Sequence, residues 1–135
     1  MPLHSDDYSH LAEFRYLLRR FLRFSKDFLR ENAGLNPEQY EALLAIKAFA
    51  AGNGATISEL SERLQVKHHS AVNIVDRLVE RKLITRAASK SDRRRRHLSL
   101  TPKGEQLIEE LAAIHRKEIR NRSAELIKAL EQLTK

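Results

Sequence analysis

Residues 56–101 read TISELSERLQVKHHSAVNIVDRLVERKLITRAASKSDRRRRHLSLT. Thr56-Ile57-Ser58-Glu59 has the spacing of a capping box, with a hydroxyl at the N-cap and a carboxylate three residues on. It opens a short helix with Ile57, Leu60 and Leu64 on one face. Gln65-Val66-Lys67 makes a tight connection to a second helix, expected over about 68–81. Ala71, Ile74, Val75 and Leu78 recur at helical spacing and predict its buried stripe. Next come Leu83-Ile84-Thr85-Arg86-Ala87, a strand candidate, a polar stretch from Ser89 to Arg96, and the alternating His97-Leu98-Ser99-Leu100. That succession predicts a β-hairpin with a basic tip. Two helices joined by a tight turn and followed by a basic hairpin predict a winged helix-turn-helix.

The flanking segments predict helices. Leu11, Phe14, Leu17, Leu18, Phe21, Phe28 and Leu29 fall near helical spacing over about 8–31, and Gly34 suits a left-handed cap. Asn36-Pro37-Glu38-Gln39 is a second helix start, with Asn36 as cap and Gln39 reaching back. Gly52-Asn53-Gly54 breaks that helix. Thr101-Pro102 starts another, carrying Leu107, Ile108, Leu111, Ile114 and Ile119. Leu126, Ile127, Leu130 and Leu133 suggest a separate last helix. The expected fold class is mainly α with a small β-hairpin wing, in one domain over 1–135. Residues 36–101 are expected to form the winged helix-turn-helix lobe, flanked by helices over 8–31 and 102–135.

Charge is concentrated in this central stretch. The chain of 135 residues has 25 Lys+Arg, 18 Asp+Glu and a net charge of +7. Residues 67–97 hold ten basic and three acidic residues, so the whole excess lies there and the rest of the chain sums to zero. A solvated charged face is the bland explanation. One anion-binding surface fits the placement better.

The second helix would enter the major groove, which admits one α-helix. Its exposed positions are expected to be His68, His69, Ser70, Val72, Asn73, Asp76 and Arg77. Asn73 has the paired donor and acceptor that read adenine, and His69 and Ser70 are short polar groups near the helix start. Lys67, Arg77 and Arg86 are better partners for phosphate, which positions a protein without reading sequence. Lys90, Asp92, Arg93, Arg94, Arg95 and Arg96 make the wing, where arginine suits the narrow minor groove.

Other chemistry is thinly represented. There is no cysteine, which excludes a disulfide or a thiol sensor in this chain. The six histidines include no H-x-x-x-H pair, and adjacent His68 and His69 point apart on a helix, so no metal or other cofactor is expected. No glycine-rich phosphate loop or nucleophile signature suggests an enzyme. Residues 1–7 lack a basic region followed by an apolar run, and no stretch has the length of a membrane span. A cytoplasmic protein is the default expectation.

The run Val75-Asp76-Arg77-Leu78, Leu83-Ile84-Thr85-Arg86, Asp92-Arg93-Arg94, and Leu98-Ser99-Leu100-Thr101-Pro102-Lys103-Gly104 resembles the MarR (multiple antibiotic resistance regulator) family. The helix order on either side is similar to that of the family too. The resemblance implies a dimeric regulator of transcription, usually a repressor, bound to a palindromic operator in double-stranded DNA. It implies that Arg94 enters the minor groove and that Asp92 orients it. It also implies a homodimer built from the terminal helices, for which Leu11, Phe14, Leu126, Ile127, Leu130 and Leu133 are candidates. Many members are released by small aromatic anions. Phe14, Arg15, Arg19, Tyr40, Phe49, Ile114 and His115 are the residue types such a pocket would use, although an aromatic stripe at helical spacing also serves as plain core.

This chain departs from the family at three points. Lys82 stands where glycine is usual, Lys67 where a capping serine is common, and Asn73 where arginine is frequent. A left-handed backbone at Lys82 would cost roughly 1 kcal/mol. The alternative function is a non-specific architectural nucleic-acid-binding protein that uses the arginine wing for phosphate alone. A third reading, a winged helix used for protein contact, is opposed by the basic charge.

Overall fold

The computed structural model describes residues 2–49, 55–88 and 96–135. Helix α1 runs from Ser5 to Ala33. It begins earlier than the apolar spacing indicates because His4 acts as N-cap and donates its backbone N–H to the Asp7 carboxylate at 2.8 Å. Gly34 ends it with φ 62°, its N–H bonded to the Arg30 carbonyl at 3.2 Å. Leu35 N–H then reaches back to Leu29 O, and both leucine side chains are buried.

Helix α2, Pro37–Phe49, starts on the reciprocal box read from the sequence. Gln39 N–H donates to Asn36 Oδ1 at 2.8 Å, and Asn36 N–H donates to Gln39 Oε1 at 2.9 Å. The break expected at 52–54 lies outside the described residues. Helix α3, Ile57–Leu64, is capped by Thr56 Oγ1, which accepts from Glu59 N–H at 3.2 Å. Gln65 closes it in a left-handed conformation, φ 54°.

Helix α4 spans His68–Glu80 and buries Ala71, Ile74, Val75 and Leu78, the stripe that the spacing predicts. Lys82 takes φ 60° after it, so the left-handed turn is kept with a lysine in it. Strands β1 (Ile84–Ala88) and β2 (Arg96–Leu100) pair antiparallel, with Ile84 opposite Leu100 and Ala88 opposite Arg96. Leu83 stays outside β1 because its backbone is used elsewhere. Its N–H donates to Leu78 O, and its carbonyl accepts from Thr101 N–H, both at 3.0 Å. Leu98 N–H also reaches Ala55 O at 2.8 Å, which ties the segment before α3 to the hairpin.

The C-terminal part differs from the expectation of two helices. Residues Pro102–Leu133 form one continuous helix, α5, 32 residues long. Thr101 Oγ1 caps it by accepting from Gly104 N–H at 3.0 Å, with Pro102 in the first turn. Beyond Gly104 the sequence has no glycine or proline, so nothing breaks the backbone ladder between the two apolar clusters.

Leu43, Ile46, Leu60, Val75, Leu78, Leu83, Ile84, Leu98 and Ile108 form one continuous core. Helix α2 lies at its centre, against α3, α4, β2 and α5. Helix α1 packs chiefly along α5, so the two long helices form a stem on which the α2–β2 lobe sits. No helix among the described residues is long and apolar enough to cross a membrane.

Candidate nucleic-acid interface

Burial of Ala71, Ile74, Val75 and Leu78 fixes which side of α4 faces outward. The outward side carries His68, His69, Asn73 and Arg77, all exposed, with Ser70, Val72 and Asp76 half-buried at its margins. Side chains three and four apart on a helix are neighbours, so His69, Asn73 and Arg77 form one row. A row of three polar side chains on a rigid, core-anchored helix has the shape and chemistry to meet base edges.

The start of α4 suits an anion. Lys67 is the N-cap residue but makes no side-chain capping bond, and the first turn holds no acidic residue. The positive end of the helix dipole, the Lys67 ammonium and the two histidines therefore lie together. Phosphate oxygens match such a helix start.

The wing is only partly described. Arg96 opens β2 opposite Ala88. Lys90, Asp92, Arg93, Arg94 and Arg95 lie outside the described residues. Arg86, on β1, forms an ion pair with Asp76 of α4. The pair joins the recognition helix to the hairpin, a link the sequence reading missed. The sequence reading gives Arg86 to phosphate, and the ion pair leaves other guanidinium N–H groups for that role. An ion pair across one charged segment leaves no signature in spacing.

The seven residues singled out for a ligand pocket fall into separate environments, Ile114 being exposed on α5. Tyr40 and His115 stack with ring centroids 4.3 Å apart, both buried. The rings of Phe21, Phe24 and Phe28 surround His115 edge-on. The ring Nδ1 of His115 lies 2.7 Å from Leu111 O, which can only accept, so Nδ1 carries the proton. Its Nε2 lies 2.8 Å from Ser25 Oγ, a hydroxyl able to complete the pairing of the ring. With both nitrogens bonded, His115 is a satisfied core histidine that joins α1 to α5. Burial, and then the Glu41 carboxylate, push the Tyr40 phenol above its ordinary pKa, so it stays neutral. Phe14 is half-buried on α1, where Arg15 and Arg19 are exposed. Phe49 lies under the Arg63 guanidinium, 4.5 Å from its centre, on the α3 side.

A cavity of about 550 Å³ opens elsewhere, between α2 and α5. Leu44, Ile108, Ala112 and Ala113 line it with apolar groups, and Lys47, Glu109 and Arg116 add charges, Lys47 being paired with Glu105. None of the seven residues lines it. Sequence offered no signal for it, because it depends on how α2 and α5 diverge.

A helix pair with a tight turn, a paired hairpin behind it and a polar outward row on the second helix define a winged helix-turn-helix protein. The MarR family profile matches residues 33–95. Over 83 residues the chain is 35% identical to the HTH-type transcriptional repressor MdtR of Bacillus subtilis (strain 168), a match covering 62% of this chain. The chain spans about half the length of that relative, 52%. MepR, a transcription regulator of the Staphylococcus aureus multidrug efflux pump MepA, superposes with a TM-score of 0.75 at 25% identity, covering 93% of this chain and 98% of that one. MepR in its DNA complex superposes with a TM-score of 0.74 at 25% identity, covering 94% and 90%. MepR bound to ethidium bromide does so at 0.65 and 26%, covering 93% and 96%. The resemblance read from the sequence holds over residues 33–95, which match the MarR family model, and the fold is similar to that of MepR.

Proposed function

We propose that the chain is a sequence-specific, dimeric DNA-binding regulator of transcription, acting as a repressor. The observation that carries this reading is the outward row of α4, His69, Asn73 and Arg77, held in place by the buried stripe behind it. In this reading α4 lies in the major groove and Asn73 reads a base. Lys67, His68, Ser70 and Arg77 meet phosphates around it, and Arg86 does so from its ion pair with Asp76, using the guanidinium donors the pair leaves. The wing's Arg94, oriented by Asp92, reaches the minor groove, with Lys90, Arg93, Arg95 and Arg96 on the backbone. The DNA complex of MepR and the repressor role of MdtR support the assignment.

The apolar surface of the stem supports a dimer. Leu11, Ile127 and Leu130 are about half exposed, at 45%, 54% and 47%, and Tyr8, Leu22 and Ile119 add to them. Exposed leucines and isoleucines in such number on two helices are the signature of a surface that another chain covers. A two-fold pair would present two α4 helices to half-sites about one helical turn apart.

Release by a small molecule fits the cavity between α2 and α5. Its apolar lining suits an aromatic ring, and Arg116 suits a negative substituent. The ethidium complex of MepR supports a small-molecule effector of this kind.

Selection from random duplex DNA tests the proposal. A palindromic consensus with half-sites about one turn apart is the expected result. Recovery of unrelated sequences would instead assign the chain to non-specific, architectural binding.

A further inference from the structure

Arg81 sits where three helices meet. Its backbone N–H closes α4 on the Arg77 carbonyl at 3.1 Å. Its own carbonyl accepts from Lys103 Nζ, in the first turn of α5, at 3.3 Å. Its side chain leaves the lobe altogether. One guanidinium nitrogen donates to Ala33 O at 2.8 Å and the other to Gly34 O at 3.1 Å.

Those two carbonyls terminate α1. The last carbonyls of a helix have no partner within it, and the negative end of the helix dipole lies there. The Gly34 and Leu35 N–H groups satisfy the Arg30 and Leu29 carbonyls, which are further back. Arg81 takes the Ala33 and Gly34 carbonyls, at the very end, with a rigid, charged fork. Hydrogen bonds from a charged donor are shorter and stronger than neutral ones, and two from one planar group fix an angle as well as a distance.

We infer that Arg81 is a positioning residue that sets the direction of the recognition helix relative to the stem. The inference rests on the dimeric DNA-binding reading given above. Helix α1 belongs to the stem and packs chiefly on α5, whereas α4 belongs to the lobe. Asn73 lies eight residues before Arg81 on the same rigid helix, about 12 Å along the axis. A small rotation at Arg81 therefore displaces Asn73, and in a two-fold dimer it displaces both copies in mirrored fashion. The distance between the two reading heads then depends on a contact that touches no DNA.

The absence of cysteine allows a direct measurement. Asn73→Cys, spin-labelled, gives the distance between the two α4 helices of the DNA-free dimer by pulsed electron resonance. The expected result is a narrow distribution with Arg81 present and a roughly twofold broader one in Arg81→Ala, as for a released hinge. Arg81→Lys, which keeps the charge and reaches a single carbonyl, gives an intermediate width. A folded Arg81→Ala dimer with the unaltered narrow distribution overturns the inference. If Arg81→Ala loses its cooperative melt, Arg81→Lys decides: broadening supports the inference, and an unaltered width overturns it. Absence of any inter-label distance with Arg81 in place refutes the dimer itself, and the inference falls with it.

Discussion

The carbonyl oxygen of Leu83 occupies the space into which any side chain at position 104 would project. Leu83 precedes the wing and Gly104 lies in the first turn of α5, so the contact presses the stem against the base of the hairpin. The same carbonyl accepts from Thr101 N–H, which prevents it from turning away. Gly104→Ala forces a methyl group onto backbone that cannot yield. It is expected to destabilise the fold by about 3 kcal/mol, the upper end of ordinary overpacking. Urea denaturation checks this, and a change below about 0.5 kcal/mol, the level of a neutral surface substitution, would refute it.

Lys82 holds φ 60° at the turn between α4 and β1. A side chain there strains the backbone, and glycine does not. Lys82→Gly is expected to raise stability by about 1 kcal/mol. A thermal melt that moves down instead would mean that the Lys82 side chain makes a compensating contact.

Glu41 has its carboxyl pKa raised, first by burial and then by the neighbouring Glu38 carboxylate. Its proton is held more tightly in the folded chain than in the unfolded one. Stability that is present below the unfolded pKa, about 4.3, is lost as pH rises through the folded value. Glu41→Gln should therefore melt higher than the parent protein at pH 7, and the gain should vanish as pH falls below about 4. Melting curves across that range check the sign, and a loss of stability at pH 7 would contradict it.

Asn73 stands in the outward row of α4 with its side chain exposed. Asn73→Ala should reduce discrimination at one or two operator positions by about 1–3 kcal/mol per position and leave non-specific affinity unchanged. Titrations on single-substituted operators separate the outcomes. A uniform loss on every sequence would make Asn73 a backbone contact or a folding residue.

Much of the fold was legible because it rests on local chemistry. Caps at Asn36, Thr56 and Thr101, the stop at Gly34 and the buried stripe of α4 are all matters of neighbours within a few residues. The single α5 was misread because its apolar clusters, around Leu111 and around Leu130, are separated by a polar stretch over 120–125 that resembles a break. A helix crosses such a stretch readily when no glycine or proline interrupts it. Contacts far apart in sequence were not legible. Gly104 stood out as a motif letter, yet its reason lies in the carbonyl of Leu83. Arg81 looked like one more cation in a basic segment. Tyr40 and His115 drew attention as pocket residues, and they do meet, though as close packing with both imidazole nitrogens bonded.

The central claim is that α4 reads sequence, with Asn73 as the reading residue. Equilibrium binding to a selected palindromic duplex and to a scrambled duplex of equal composition, both at physiological salt, tests it most directly. The account predicts at least about 10³-fold tighter binding to the selected site. Equal affinity for both duplexes would contradict it and leave a protein that holds DNA by its phosphates alone.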